Sequence, residues 1–109
     1  MEKNKQILSM LSLAKKAGKL VFGFDAVCEE LNKKQWNTVF VASDLSEKTK
    51  KEIQRECKKH FFMMIDLPLT MDDISVIIHK KVGVVCITNQ SFAIKIKTLT
   101  QECIKEEMR

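Results

Sequence analysis

Leu11-Ser12-Leu13-Ala14-Lys15-Lys16-Ala17-Gly18-Lys19-Leu20-Val21-Phe22-Gly23 compresses the end of a helix, its stop signal, a short strand and the entry to another helix into one short stretch. Gly18 is the residue type that closes a helix in the left-handed conformation without a Cβ penalty, and Lys15 and Lys16 fall in the last turn, where cations suit the helix dipole. Lys19 to Phe22 reads as a short strand, and Gly23 opens the next helix. A helix N-terminus presents unpaired N–H groups and partial positive charge, so a glycine there lets an anionic backbone such as nucleic-acid phosphate approach closely. A glycine at a strand-to-helix turn also meets purely steric needs.

Alternation continues outward from this stretch. Upstream, Ile7, Met10, Leu11, Ala14 and Ala17 lie three and four apart, an amphipathic first helix with its lysines toward solvent. Downstream, Ala26, Val27 and Leu31 mark a second helix from about Asp25 to Lys33, with Asp25 as its N-cap. Thr38 to Ala42 is a buried strand, and Ser46 caps a third helix in which Thr49, Ile53 and Cys57 repeat beneath a Lys-rich outer face. Phe61 to Ile65 reads as a third strand. Thr70 with Asp73 forms a capping pair for a fourth helix, Gly83 to Thr88 is a fourth strand, and Asn89 caps a last helix through Phe92, Ile96, Leu99 and Cys103. A helix followed by alternating strands and helices predicts an α/β fold, a three-layer α/β/α sandwich over a four-stranded mixed sheet with some parallel pairing.

The 109 residues, 45% hydrophobic, suffice for one packed core, so one domain over 1–109 is expected. Pro68 is the only proline, and neither linker nor repeat is evident. The charged N-terminus leads into an amphipathic pattern rather than a secretory h-region, and the apolar runs Phe61–Ile65 and Val82–Ile87 are too short to cross a bilayer. A soluble cytoplasmic protein with no membrane partner is expected. Cys28, Cys57, Cys86 and Cys103 are widely spaced and read as buried thiols of a reducing compartment; with His60 and His79 they offer no metal-ligand spacing. No cofactor, metal or catalytic pairing is expected, and enzyme function ranks last.

The net charge of +5 favours an anionic partner, and location decides whether it does. Two loops gather basic or phosphate-friendly groups: Lys19 through Asp25, and His79-Lys80-Lys81-Val82-Gly83. Lys33 and Lys34, followed by Gln35 and Trp36, add a basic and aromatic corner. Basic groups at helix ends also serve the dipole alone, at about 0.3–1 kcal/mol each.

Residues 11–23, together with Val39-Phe40-Val41-Ala42-Ser43-Asp44-Leu45-Ser46-Glu47-Lys48-Thr49-Lys50-Lys51, resemble the bacterial YlxQ-type proteins of the L7Ae/L30e ribosomal-protein superfamily. The resemblance spans about residues 5–99 and implies an α/β/α sandwich that binds kink-turns in RNA. It assigns the kinked backbone and its sheared G·A pairs to Gly23, Phe24, Asp25 and Ala26, with Glu29 where the family has a lysine. The usual Gly-x-Asn-Glu is therefore changed at Asp25 and Ala26, and one bidentate base contact is worth about 1–3 kcal/mol of discrimination. A carboxylate at 29 also repels phosphate. Asp25 still accepts from a guanine N–H but lacks the donor of an asparagine. Lys19, Lys33 and Ser46 fall where the family touches backbone or sugar. Around the fourth helix, Ile74, Ser75 and His79 stand where the family often has Leu-Gly and a later Gly, followed by Lys80 and Lys81, with Ile78 and Val82 as the apolar platform for a flipped base.

The resulting expectation is a monomeric, noncatalytic binder of structured RNA, whether a kink-turn, ribosomal RNA on the ribosome or a riboswitch, with relaxed or altered specificity. The alternative is a protein-interaction module on the same fold, favoured by Asp25, Ala26 and Glu29.

Overall fold

The computed structural model describes residues 2–33 and 38–107, with side-chain surroundings for 3–33 and 38–103. In chain order they form α1 (Glu2–Lys16), β1 (Leu20–Phe22), α2 (Phe24–Leu31), β2 (Thr38–Val41), α3 (Glu47–Lys59), β3 (Met63–Asp66), α4 (Met71–Ile78), β4 (Val84–Ile87) and α5 (Gln90–Glu107). The strands make one sheet in the order β1-β4-β2-β3. β4 runs antiparallel to both β1 and β2, while β2 and β3 are parallel, so the sheet is mixed.

Side-chain alternation divides the interior into two layers. Phe40 of β2 with Val85 and Ile87 of β4 faces α1, α4 and α5, packing on Ile7, Leu11, Ile74, Ile96 and Leu99. Val39, Val41, Val84 and Cys86 face the other way, onto Val27 and Leu31 of α2 and Ile53 and Cys57 of α3. β2 and β4 are buried throughout because they are the two central strands.

The helix ends follow the capping residues. Gly18 takes φ +71, and its N–H and that of Lys19 bond to the carbonyls of Lys15 and Ala14 at 3.0 and 2.8 Å, closing α1 in a Schellman turn. Ser46 Oγ accepts from Thr49 N–H at 3.3 Å, Thr70 and Asp73 form a reciprocal capping box, and Asn89 Oδ1 accepts from Phe92 N–H at 3.1 Å.

Four expectations are corrected. Asp25 is not the N-cap of α2: Gly23 holds that position at φ 93, and Asp25 lies in the first turn. The third strand starts at Met63, because Phe61 and Phe62 complete a Schellman turn on Lys58 and Cys57 at 3.2 and 2.8 Å. The fourth strand is shorter than Gly83–Thr88, and Ala17 is exposed because α1 has already ended. Lys34, Gln35 and Trp36 lie outside the described residues.

Candidate nucleic-acid interface

Strand directions decide which turns share an end of the sheet. β1 ends where β4 begins, and β2 and β3 end on that same side. Backbone bonds fasten the turns together there. Gly23 N–H donates to Val84 O at 2.9 Å, Ala42 N–H to Gly83 O at 2.9 Å, and Ser43 N–H to Leu69 O at 2.8 Å. The Asp44 carboxylate accepts Met71 N–H at 2.8 Å, tying the β2–α3 turn to the start of α4. Asp44 serves as a remote cap, a role that no local spacing in the sequence advertises.

The segment 79–82 doubles back along α4. Its start is fixed where Lys15 Nζ donates to Ile77 O at 2.9 Å, beside the left-handed His79 at φ 66. Farther on, Lys81 Nζ lies 4.0 Å from the Asp72 carboxylate in the first turn of α4. Gly83 then passes so close to Leu45 and Met71 that a Cβ would stand 2.6 Å from Leu45 Cδ1. The α4–β4 segment is thereby delivered beside the β1–α2 turn.

Gly23 is open above: a Cβ built there would meet nothing within 4 Å. The starts of α3, α4 and α5 each receive a side-chain acceptor, whereas α2 begins at Gly23 with none. Its first-turn amides therefore face an accessible surface with their donors and partial positive charge uncovered.

The residues singled out by sequence divide into three groups. The first follows the strand-end rim and the segment leading into it: Gly23, Asp25, Ala26, Ser46 and Val82 at the rim, Lys81 against Asp72 in the first turn of α4, Glu29 one turn along α2, and His79 with Lys80 after it at the C-terminal end of α4, about 12 Å of helix from the rim. Of these, Ser46 is engaged in capping and donates to Thr49 Oγ1 at 2.9 Å. Phe24 and Ile78 belong to the packed interior: Phe24 is half-buried against the α2/α3 cluster, and Ile78 is 4% exposed within the other. The apolar platform is thus reduced to half-buried Val82. Lys19 and Lys33 lie at the opposite end. β1 separates Lys19 from Gly23 by roughly 13 Å of extended chain, and Lys19 O accepts Thr88 N–H at 2.9 Å beyond the end of β4. Lys33 follows α2 at that far end, 3.2 Å from the Glu30 carboxylate.

Charge on the rim is mixed. Asp25 and Glu29 are exposed at the front of α2. Lys80 makes no ion pair among the described residues, and the Lys81 pair is long and exposed, a type worth little. Burial raises the Cys57 thiol to about 11 and the Cys86 thiol to about 12, and Cys28 is raised too, so these thiols are inert packing groups. Among the described residues no cluster could hold a metal, and no helix is long and apolar enough to cross a membrane.

Residues 5–97 match the family described as ribosomal protein L7Ae/L30e/S12e/Gadd45. The chain belongs to that family. A curated relative from Enterococcus faecium, "RNA-binding protein YlxQ", is 31% identical over 101 residues, covering 92% of this chain and 97% of the relative. Among solved structures, a Bacillus halodurans protein of unknown function superposes with a TM-score of 0.78 at 24% identity, covering 87% of this chain and 96% of that one. The Giardia lamblia 15.5kD RNA binding protein superposes with a TM-score of 0.69 at 9% identity, covering 94% and 88%, a likeness of fold. The three-layer mixed-sheet architecture is that of the L7Ae-like fold.

Proposed function

We propose that this L7Ae-family chain binds structured RNA without catalysis, through the strand-end rim formed by the β1–α2 turn and the α4–β4 segment. The observation that carries the reading is the 2.9 Å bond from Gly23 N–H to Val84 O, which fastens the uncapped start of α2 to the point where the segment carrying Lys80 and Lys81 enters β4. The name of the Enterococcus faecium relative supports RNA as the partner class. Phosphate sits at the α2 amides, with Lys80 and Lys81 along the segment leading to them. Asp25 accepts from a guanine N–H, while Ala26 supplies no polar contact, so base readout is weaker than in a Gly-x-Asn-Glu turn. A kink-turn is the preferred shape because its splayed backbone leaves room for a close glycine. The ribosome or a riboswitch in the cytoplasm would supply such RNA.

A protein-docking role on the same rim is the second reading, favoured by the exposed carboxylates of Asp25 and Glu29. Filter-binding titration of a kink-turn RNA against Lys80→Glu/Lys81→Glu separates the two. The RNA reading expects weaker binding to all structured sequences, with the salt slope lowered by about 1.5 to 2. Unchanged affinity and slope would favour the protein partner.

A further inference from the structure

The outer meridian of α3 plays no part in the core or the rim, yet it concentrates cations and ends on an aromatic ring held out in water. Lys51, Arg55 and Lys58 lie at i, i+4 and i+7, on the side of the helix opposite buried Ile53 and Cys57. With Gln54 they line a shallow depression of about 300 Å³. All three cations are exposed and make no ion pair among the described residues, whereas Lys50 on the flank is paired with Asp66 at 2.9 Å.

Phe61 is 95% exposed at φ 61, and its N–H bonds to the Lys58 carbonyl at 3.2 Å, so its backbone closes the helix turn that carries the last cation. A Schellman corner is ordinarily given to glycine or asparagine, and a bulky residue there has a conformational cost. Packing does not repay that cost, since the core takes the next residue, Phe62, instead. An exposed ring at the end of a helix that carries a line of cations without ion pairs among the described residues is the combination that holds an unpaired base by stacking and its phosphates by charge.

We propose that Lys51, Arg55, Lys58 and Phe61 form a contact strip for single-stranded RNA, with phosphates along the cations and one unpaired base stacked on Phe61. The strip rests on the RNA-binding reading only for the class of partner; its residues are separate from the rim. α3 starts at the rim and extends about 20 Å from it. An unpaired strand leaving a structured element on the rim thus runs down α3. An acidic protein segment would satisfy the cations but gains no stacking from Phe61.

Fluorescence anisotropy with a labelled short oligouridine tests this on the full chain. Phe61→Leu is expected to weaken oligouridine binding about 5- to 100-fold, with Phe61→Tyr retaining it. Lys51→Glu/Arg55→Glu/Lys58→Glu is expected to lower the salt slope by about 2. Phe61→Gly, which relieves the left-handed corner, keeps or raises thermal stability while losing affinity, so the loss is not one of folding. Undetectable oligouridine binding, indifference to Phe61→Leu, or polyglutamate displacing the probe as well as unlabelled oligouridine would each overturn the strip. Lys80→Glu/Lys81→Glu with an intact α3 reports separately on the rim, through kink-turn RNA rather than oligouridine.

Discussion

Gly23→Ala isolates conformation from contact. The added Cβ would meet nothing within 4 Å, so sterics with neighbours contribute nothing. The backbone at φ 93 and ψ 147 is another matter, since this region is essentially reserved for glycine and costs other residues about 1–3 kcal/mol. Alanine also narrows the unfolded ensemble, a gain of about 0.4–1 kcal/mol where the native angles suit it, which offsets part of the loss. The net expectation is a destabilisation of about 1–2 kcal/mol. With a urea m-value near 2 kcal/mol/M, typical of small domains, the midpoint falls by roughly 0.5–1 M. Asparagine sharpens the test. It tolerates the left-handed αL region, so Gly18→Asn at φ 71 should be nearly neutral. Gly23→Asn should cost as much as Gly23→Ala, because ψ 147 lies outside αL. Equal midpoints for wild type and Gly23→Ala, or equal effects of asparagine at the two glycines, would refute the reasoning.

Gly83→Ala should destabilise by about 1–3 kcal/mol through overpacking on Leu45, and Leu45→Ala should partly rescue it; additive effects in a double-mutant cycle would contradict the close approach. Thr100 Oγ1 is buried without a partner among the described residues, so Thr100→Val should leave urea stability unchanged or raise it by about 1 kcal/mol, and a clear loss would reveal a hidden bond. Alkaline pH should destabilise the fold. The unfolded chain releases the Cys57 and Cys86 protons near the ordinary value of 9.0, while the native state keeps them to about 11 and about 12. Stability is therefore whole below pH 9.0 and declines above it, by up to about 1.4 kcal/mol per pH unit for each thiol. Urea midpoints taken across that range should fall less steeply in Cys86→Ala, and an identical decline would assign the effect elsewhere.

The fold was readable because local and global cues agreed. Gly18, Ser46, Thr70 with Asp73, and Asn89 sit where they cap helices, and the apolar residues of β2 and β4 serve both faces of the sheet. Readings failed where tertiary demands outweighed a local pattern. Phe61 and Phe62 look like strand residues but close a helix, and Asp25 looks like a cap but yields that position to Gly23. The site was half legible. The sequence marked both loops but not where they meet, which the bond from Gly23 N–H to Val84 O decides. Ile78 could not be told from a surface platform because its period-four partner Ile74 buries the same face, and Lys19 belongs to the far end because a strand intervenes. Asp44 escaped detection since its target, Met71 N–H, is 27 residues away.

Amide chemical-shift mapping while a kink-turn RNA is titrated in tests the central claim most directly. The largest perturbations are predicted at Gly23, Asp25 and His79 through Val82, with a second band at Lys58–Phe61 when the RNA carries an unpaired tail. Perturbations confined to α1 and α5, or none at saturating RNA, would contradict it.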